Sequence, residues 1–142
     1  MTRRSLMILA LARSLPAGTE QQVWDLFTSL AADLSAGDAV AFMKHFDPAM
    51  PNREQMRAYV AGLLDEGDLQ SSVEIRSDEG DDHARSVELD WLLDIVEHED
   101  AAGLTRRHEI VKCRLIKNGK NWRIVAFDPI ALFAPPTAAE RQ

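Results

Sequence analysis

The sequence is short of thiols, of positive charge and of long apolar runs. One cysteine, Cys113, in 142 residues excludes an internal disulfide and offers no thiol pair to a metal. It lies in an apolar alternating stretch, where a buried, inert thiol is expected rather than a nucleophile. Lysine and arginine together number 16 against 23 acidic residues, a net charge of -7. A phosphate backbone needs a basic face, so nucleic acid is excluded as a partner. No apolar run reaches the roughly 18 residues of a membrane span. What is present is an ordinary globular composition, 46% hydrophobic and 27% charged, of single-domain length. No cofactor or metal motif stands out. The acids of residues 78–83 are adjacent, not alternating around a glycine as in a calcium loop, so a solvated turn is expected there.

The amino terminus reads two ways. Arg3 and Arg4 precede a short apolar stretch, residues 5–12, and Ala10-Leu11-Ala12 and Leu15-Pro16-Ala17 offer small residues for cleavage. Residues 1–18 are therefore read as a secretory signal or a disordered leader. Export to the periplasm or medium is preferred over a cytoplasmic location. The domain itself is expected over residues 19–136, with a frayed tail over 137–142.

The centre of the chain is residues 86–97, which alternate as a half-buried strand does. Val87, Leu89, Trp91, Leu93 and Ile95 share one face, and Glu88, Asp90 and Asp94 the other. Before it the period is helical. Thr19 and Gln22 suggest a capping box, followed by a stripe of Val23, Leu26, Phe27, Leu30 and Leu34 that Gly37 ends. Asp38 caps a short helix over 39–45, two prolines break the chain, and Asn52 caps a third helix over 53–66. From 69 onward the pattern alternates: strands over 69–77, 86–97, 106–117 and 121–127. Asn118-Gly119 predicts a type I′ hairpin between the last two. Helices first and strands afterwards mean an α+β fold, three helices packed on one face of an antiparallel sheet.

Strand parity divides the faces. Val111, Cys113 and Leu115, with Trp122, Ile124 and Ala126, join Trp91 on the helix side. His108, Lys112 and Arg114 face away beside Glu88, Asp90 and Asp94, so Asp90 and His108 read as members of a solvated charge lattice. Arg123, Val125 and Phe127 fall on that outer face, and its apolar members, with Leu92, Val96, Ile110 and Ile116, make a surface suited to an isologous dimer. A bulge would invert this parity beyond it.

The helix order, the Leu34-Ser35-Ala36-Gly37-Asp38 stop, the Phe42-Met43-Lys44-His45-Phe46 segment and the run Asn118-Gly119-Lys120-Asn121-Trp122-Arg123-Ile124-Val125 resemble the nuclear transport factor 2-like superfamily. That superfamily also holds SnoaL-like polyketide cyclases and ketosteroid isomerases. The resemblance spans about residues 20–134. It implies a cone, a curved sheet wrapped on helices around an internal pocket. The apolar lining expected for that pocket is Phe42, Phe46, Tyr59, Trp91 and Trp122. The inner polar groups are few: His45, Asp47, Tyr59, Ser71 and Asp128. Two functions follow. One is a non-catalytic domain, dimeric through its sheet, that binds a small apolar ligand or a partner. The other is an isomerase, dehydratase or cyclase with Asp128 or Asp47 as general base and His45 or Tyr59 as acid or oxyanion donor.

Overall fold

A computed structural model describes residues 18–99 and 103–140. The leader-like residues 1–17 lie outside the described residues. Helix α1 (Thr19–Ser35) buries Val23, Leu26, Phe27, Leu30 and Leu34, the stripe its i, i+3, i+4 spacing calls for. It is not capped by Thr19. Gly18 holds the cap position without a side-chain bond, and the Thr19 hydroxyl donates to Asp82 Oδ1 at 3.0 Å. Helix α2 (Ala39–Met43) is capped as expected, the Asp38 carboxylate accepting the Ala41 N–H at 2.9 Å. It ends two residues before the expected 45, because Lys44 and His45 turn the chain toward the sheet. Helix α3 (Arg53–Glu66) matches its expected span, although Asn52 enters it in a left-handed conformation and makes no side-chain cap.

Four strands follow in the order β1 (Gly67–Gly80), β2 (Ala84–Glu97), β3 (Leu104–Asn118) and β4 (Asn121–Asp128), all antiparallel neighbours. α1 lies mainly across β1, and α3 reaches β1 and a closing 3-10 turn, Ile130–Phe133. β2 alternates without a break, with Val87, Leu89, Trp91, Leu93 and Ile95 buried. The β1–β2 turn is tight. Gly80 has φ +142°, and a Cβ there would stand 2.2 Å from the Ala84 carbonyl oxygen, so no side chain fits. The β3–β4 hairpin differs from the expected type I′ turn. Asn118 and Asn121 form the closing pair, and Gly119 (φ 68°), the first of the two central residues, is the only one with positive φ, as a type II′ turn requires.

Two bulges decide which side chains meet the core. In β1 the register slips between Ile75 and Ser77, which leaves Arg76 as the extra residue and turns Asp78 toward Arg85. Asp78 Oδ1 accepts from Arg85 Nε at 2.6 Å, both side chains nearly buried. In β4 Arg114 pairs with Ala126 while Leu115 pairs with Ile124, so Val125 is the extra residue. Parity inverts beyond it. Phe127, expected on the outer face, is buried, and Asp128, expected inside, is exposed opposite Lys112. The free edge of β4 is partly covered by the segment after α2. Ile124 N–H donates to the His45 carbonyl at 2.9 Å, and Asp47 N–H to the Ile124 carbonyl at 2.8 Å.

Candidate functional site

Three places in the fold bring chemistry-bearing or recognition-bearing residues together: the interior between helices and sheet, a cleft at the β4 edge, and the outer face of the sheet. The interior is closed by rings. Phe42, Phe46, Trp91, Phe127 and Phe133 form one cluster with centroid separations of 5.1–5.9 Å, mostly edge-to-face. Phe42, Trp91 and Phe133 are 0% exposed. The Trp91 indole N–H donates to Ser71 Oγ at 3.1 Å, which satisfies its one donor. So three of the five expected lining residues meet, but they pack on one another. Tyr59 is half-buried against the same core. Trp122 lies apart, at the rim, where its indole N–H donates to Gln22 Oε1 at 2.8 Å and Lys117 stands over its ring.

Phe127 and Phe133 were missed as members of this cluster. Phe127 is there because of the Val125 bulge. Phe133 sits in the segment after the last strand, where no alternation or helical period marks a buried position.

Among the described residues, Arg85 and Thr105 are the buried polar or charged ones. The expected acid and base groups stand elsewhere. Asp128 is on the outer face. The Asp47 carboxylate accepts the Ala49 N–H at 2.8 Å, the turn role of an aspartate before proline. His45 lies past the end of α2, and its Nε2 is 3.0 Å from Asp33 Oδ2, a partner on the polar side of α1 that the sequence did not single out. Cys113 is buried, and burial pushes its thiol well above the ordinary range, as an inert core cysteine requires.

His45 and Trp122 border the same cleft, about 350 Å³, between α1 and the start of β4. A second, apolar slot beside Trp24, Phe27, Val73 and Ile75 holds about 180 Å³. Ligand pockets run to roughly 300–1,000 Å³, so this slot is too small for a drug-sized apolar molecule.

The outer face of the sheet is sorted by strand. β1 and β2 contribute Glu74, Glu79, Glu88, Asp90 and Asp94, and β3 contributes Arg106, His108, Lys112 and Arg114. Arg106 binds Asp94 through two nitrogens, at 2.8 and 3.1 Å, and holds that carboxylate below its usual range. His108 pairs with Asp90, on the solvated side as the parity argument expects. Between the charges stand exposed apolar groups, Val96, Leu104, Ile110 and Ile116. Phe127, expected among them, is absent because it turns inward. Lys112, Arg114, Glu88 and Asp128 line a groove of about 490 Å³ across this face.

No family model matches the chain, and no curated protein matches it by sequence. Solved structures do match. A nuclear transport factor 2-like superfamily protein from Salmonella enterica is 12% identical, with a TM-score of 0.61 over 77% of this chain and 87% of that one. A candidate scytalone dehydratase from Novosphingobium aromaticivorans is 10% identical, with a TM-score of 0.68 over 76% and 80%. A protein of unknown function with a cystatin-like fold from Nostoc punctiforme is 17% identical, with a TM-score of 0.58 over 81% and 95%. The chain therefore has the nuclear transport factor 2-like fold: helices followed by a curved, open, antiparallel sheet.

Proposed function

We propose that this chain is a non-catalytic interaction domain that works as a homodimer joined through the outer face of its sheet. The observation that carries the reading is the contrast between that face and the interior. The rings inside contact one another, whereas Val96, Leu104, Ile110 and Ile116 are exposed at intervals along one face among strand-sorted charges. A row of exposed apolar groups set between complementary charges suits a broad docking surface along the sheet. A second copy supplies the same acid and base columns and can meet them by a two-fold rotation. The small apolar ligand of the alternative form of this reading finds less support, since the rings occupy the space it would enter.

Sedimentation velocity tests the dimer. The expected result is twice the chain mass, falling to one chain mass in Ile110→Glu with an unchanged far-ultraviolet spectrum. A wild-type monomer at micromolar concentration overturns the reading. Export is read from residues 1–18, and the mass of the mature amino terminus tests it.

A second reading, an isomerase, dehydratase or cyclase, has one observation in its favour: the His45–Asp33 pair on the wall of a polar cleft. It requires a carboxyl group titrating near neutral pH, the working range of a general base. Carbon-detected NMR titration of Asp33 and Asp47 distinguishes the two. A carboxyl midpoint near neutrality favours the enzyme, and ordinary midpoints favour the interaction domain.

A further inference from the structure

The arginines described in this acidic chain are mostly ion-paired. Of the eight described arginines, Arg53, Arg57, Arg76, Arg85, Arg106 and Arg107 each form an ion pair with a carboxylate. Arg114 and Arg123 have none among the described residues. Arg114 faces the outer groove, where a second copy is read to dock. Arg123 on β4, opposite Ile116, is half-buried at the sheet's edge and borders the 350 Å³ cleft. With 23 acids available against 16 bases, a half-buried guanidinium without a carboxylate calls for a partner from outside the chain.

The rest of the cleft has the same sign. Lys44 and Lys120 line it with Arg123, and neither is ion-paired among the described residues. His45 is already held by Asp33. Asp25 is the one carboxylate on the lining, so three cations against one anion leave two positive charges without balance. Ser29 and Asn121 add neutral hydrogen-bonding groups. The wall is positioned rather than loose. His45 and Ile124 are joined through the backbone at 2.9 Å, and the Trp122 indole is fixed on Gln22.

We propose that this cleft binds a phosphate monoester. A guanidinium fork matches phosphate oxygens, and ammonium groups add point charge. A dianion balances the charge of the lining, and the volume exceeds that of the oxyanion alone, which leaves room for a small organic body. The inference goes beyond the dimer reading: the cleft lies between α1 and β4, and of its cations only Arg123, opposite Ile116, stands at the border of the outer face.

The test is a two-dimensional amide and indole NMR titration of the full chain at constant ionic strength. Inorganic phosphate and glycerol phosphate are the probes, with succinate and chloride as comparisons. The expected result is saturable shifts at the Trp122 indole and the Ser29 and Asn121 amides. Affinity is expected to fall about tenfold in Arg123→Gln and in Lys44→Gln, the scale of one lost charge-assisted contact. The same spectra report whether each variant is folded, and the wild-type shift map stands alone if one is not. Shifts that are scattered and linear in concentration overturn the proposal. So does binding of succinate as tight as that of phosphate, or undiminished affinity in both variants.

Discussion

The two faces of the sheet are drawn from alternating residues of the same strands, yet their side chains satisfy one another by different means. On the inner face of β2, Val87 to Ile95 are all but inaccessible and Trp91 meets Phe127 and Phe133 edge-on. Such contacts are short-ranged and depend on shape. On the outer face Asp94 meets Arg106 and Asp90 meets His108, side chains that remain partly solvated. Those contacts tolerate displacement and weaken in salt. The inner face therefore carries stability, and under the proposed dimer the outer face carries recognition. The parity change at Val125 places Phe127 on the first and Asp128 on the second.

Phe127→Asp is the sharpest way to break this division. It puts a carboxylate where a ring of the cluster stands, whereas deleting Val125 would leave Phe127 opposite Cys113 and Asp128 opposite Lys112. Removing a buried phenylalanine costs about 3–5 kcal/mol, and burying an unpaired carboxylate adds to that. The loss is comparable to the whole stability of a small domain, about 5–15 kcal/mol. Urea unfolding is expected to show a chain largely unfolded without denaturant. A variant of near-native stability would mean that Phe127 is not held in the ring cluster.

The bulge also marks how far the sequence could be read. Helix α3 matched to the residue and β2 nearly so, because a period of 3.6 or 2 repeats often enough there to be counted. A bulge is a single inserted residue. In Val125-Ala126-Phe127 three apolar side chains follow in succession, so nothing in their order tells which one is skipped. The same limit hid Arg76, and with it the Asp78–Arg85 pair. His45 and Trp122 were singled out separately, but that they border one cleft depends on a bridge between segments about 80 residues apart, Phe46 to Ile124. Local periodicity carries no such information. The charge sorting of the outer face was legible, because residues on β2 and β3 face each other in simple antiparallel register.

Within the ring cluster, Trp91→Ala is expected to cost about 3–5 kcal/mol in urea unfolding, with dimer mass retained when the chain is folded. The matching outer-face change, Ile110→Glu, is expected to abolish the dimer at little cost to the folded monomer, since isolated surface changes stay within about 0.5 kcal/mol. If Trp91→Ala dissociated the dimer while the chain remained folded, the two faces would not be independent.

A smaller effect is expected at the carboxyl end. Residues 137–140, expected to fray, are held down. Glu140 takes two bonds from Arg107, at 2.9 and 3.0 Å, and one from the Thr137 N–H. The Arg107 hydrogen bonds, first, and the Thr137 N–H lower its pKa from 4.5 to about 2. A depressed carboxylate stabilises the fold fully above its unfolded value and loses that contribution as pH falls. The tail's share is therefore intact above about pH 4.5 and lost on the way down to about 2. Glu140→Gln is expected to lower stability by about 1–2 kcal/mol at neutral pH. It is also expected to flatten the acid limb of the stability profile in that window. An acid limb identical to wild type would show that the tail contact contributes nothing.

The smallest effect belongs to the exposed pair Asp94 and Arg106. Although Arg106 grips both oxygens of the carboxylate, its own side chain is mostly solvated. Exposed pairs contribute about 0.2–1 kcal/mol. Asp94→Asn is expected to fall within that range in the monomeric Ile110→Glu background and to become nearly silent at high salt. In the proposed dimer the same change removes one member of a charge column that the partner copy would face. Its cost to association should then exceed its cost to folding, as read by sedimentation at low ionic strength. Equal costs in both measurements would place Asp94 outside the contact and confine the docking surface to the apolar groups of β3.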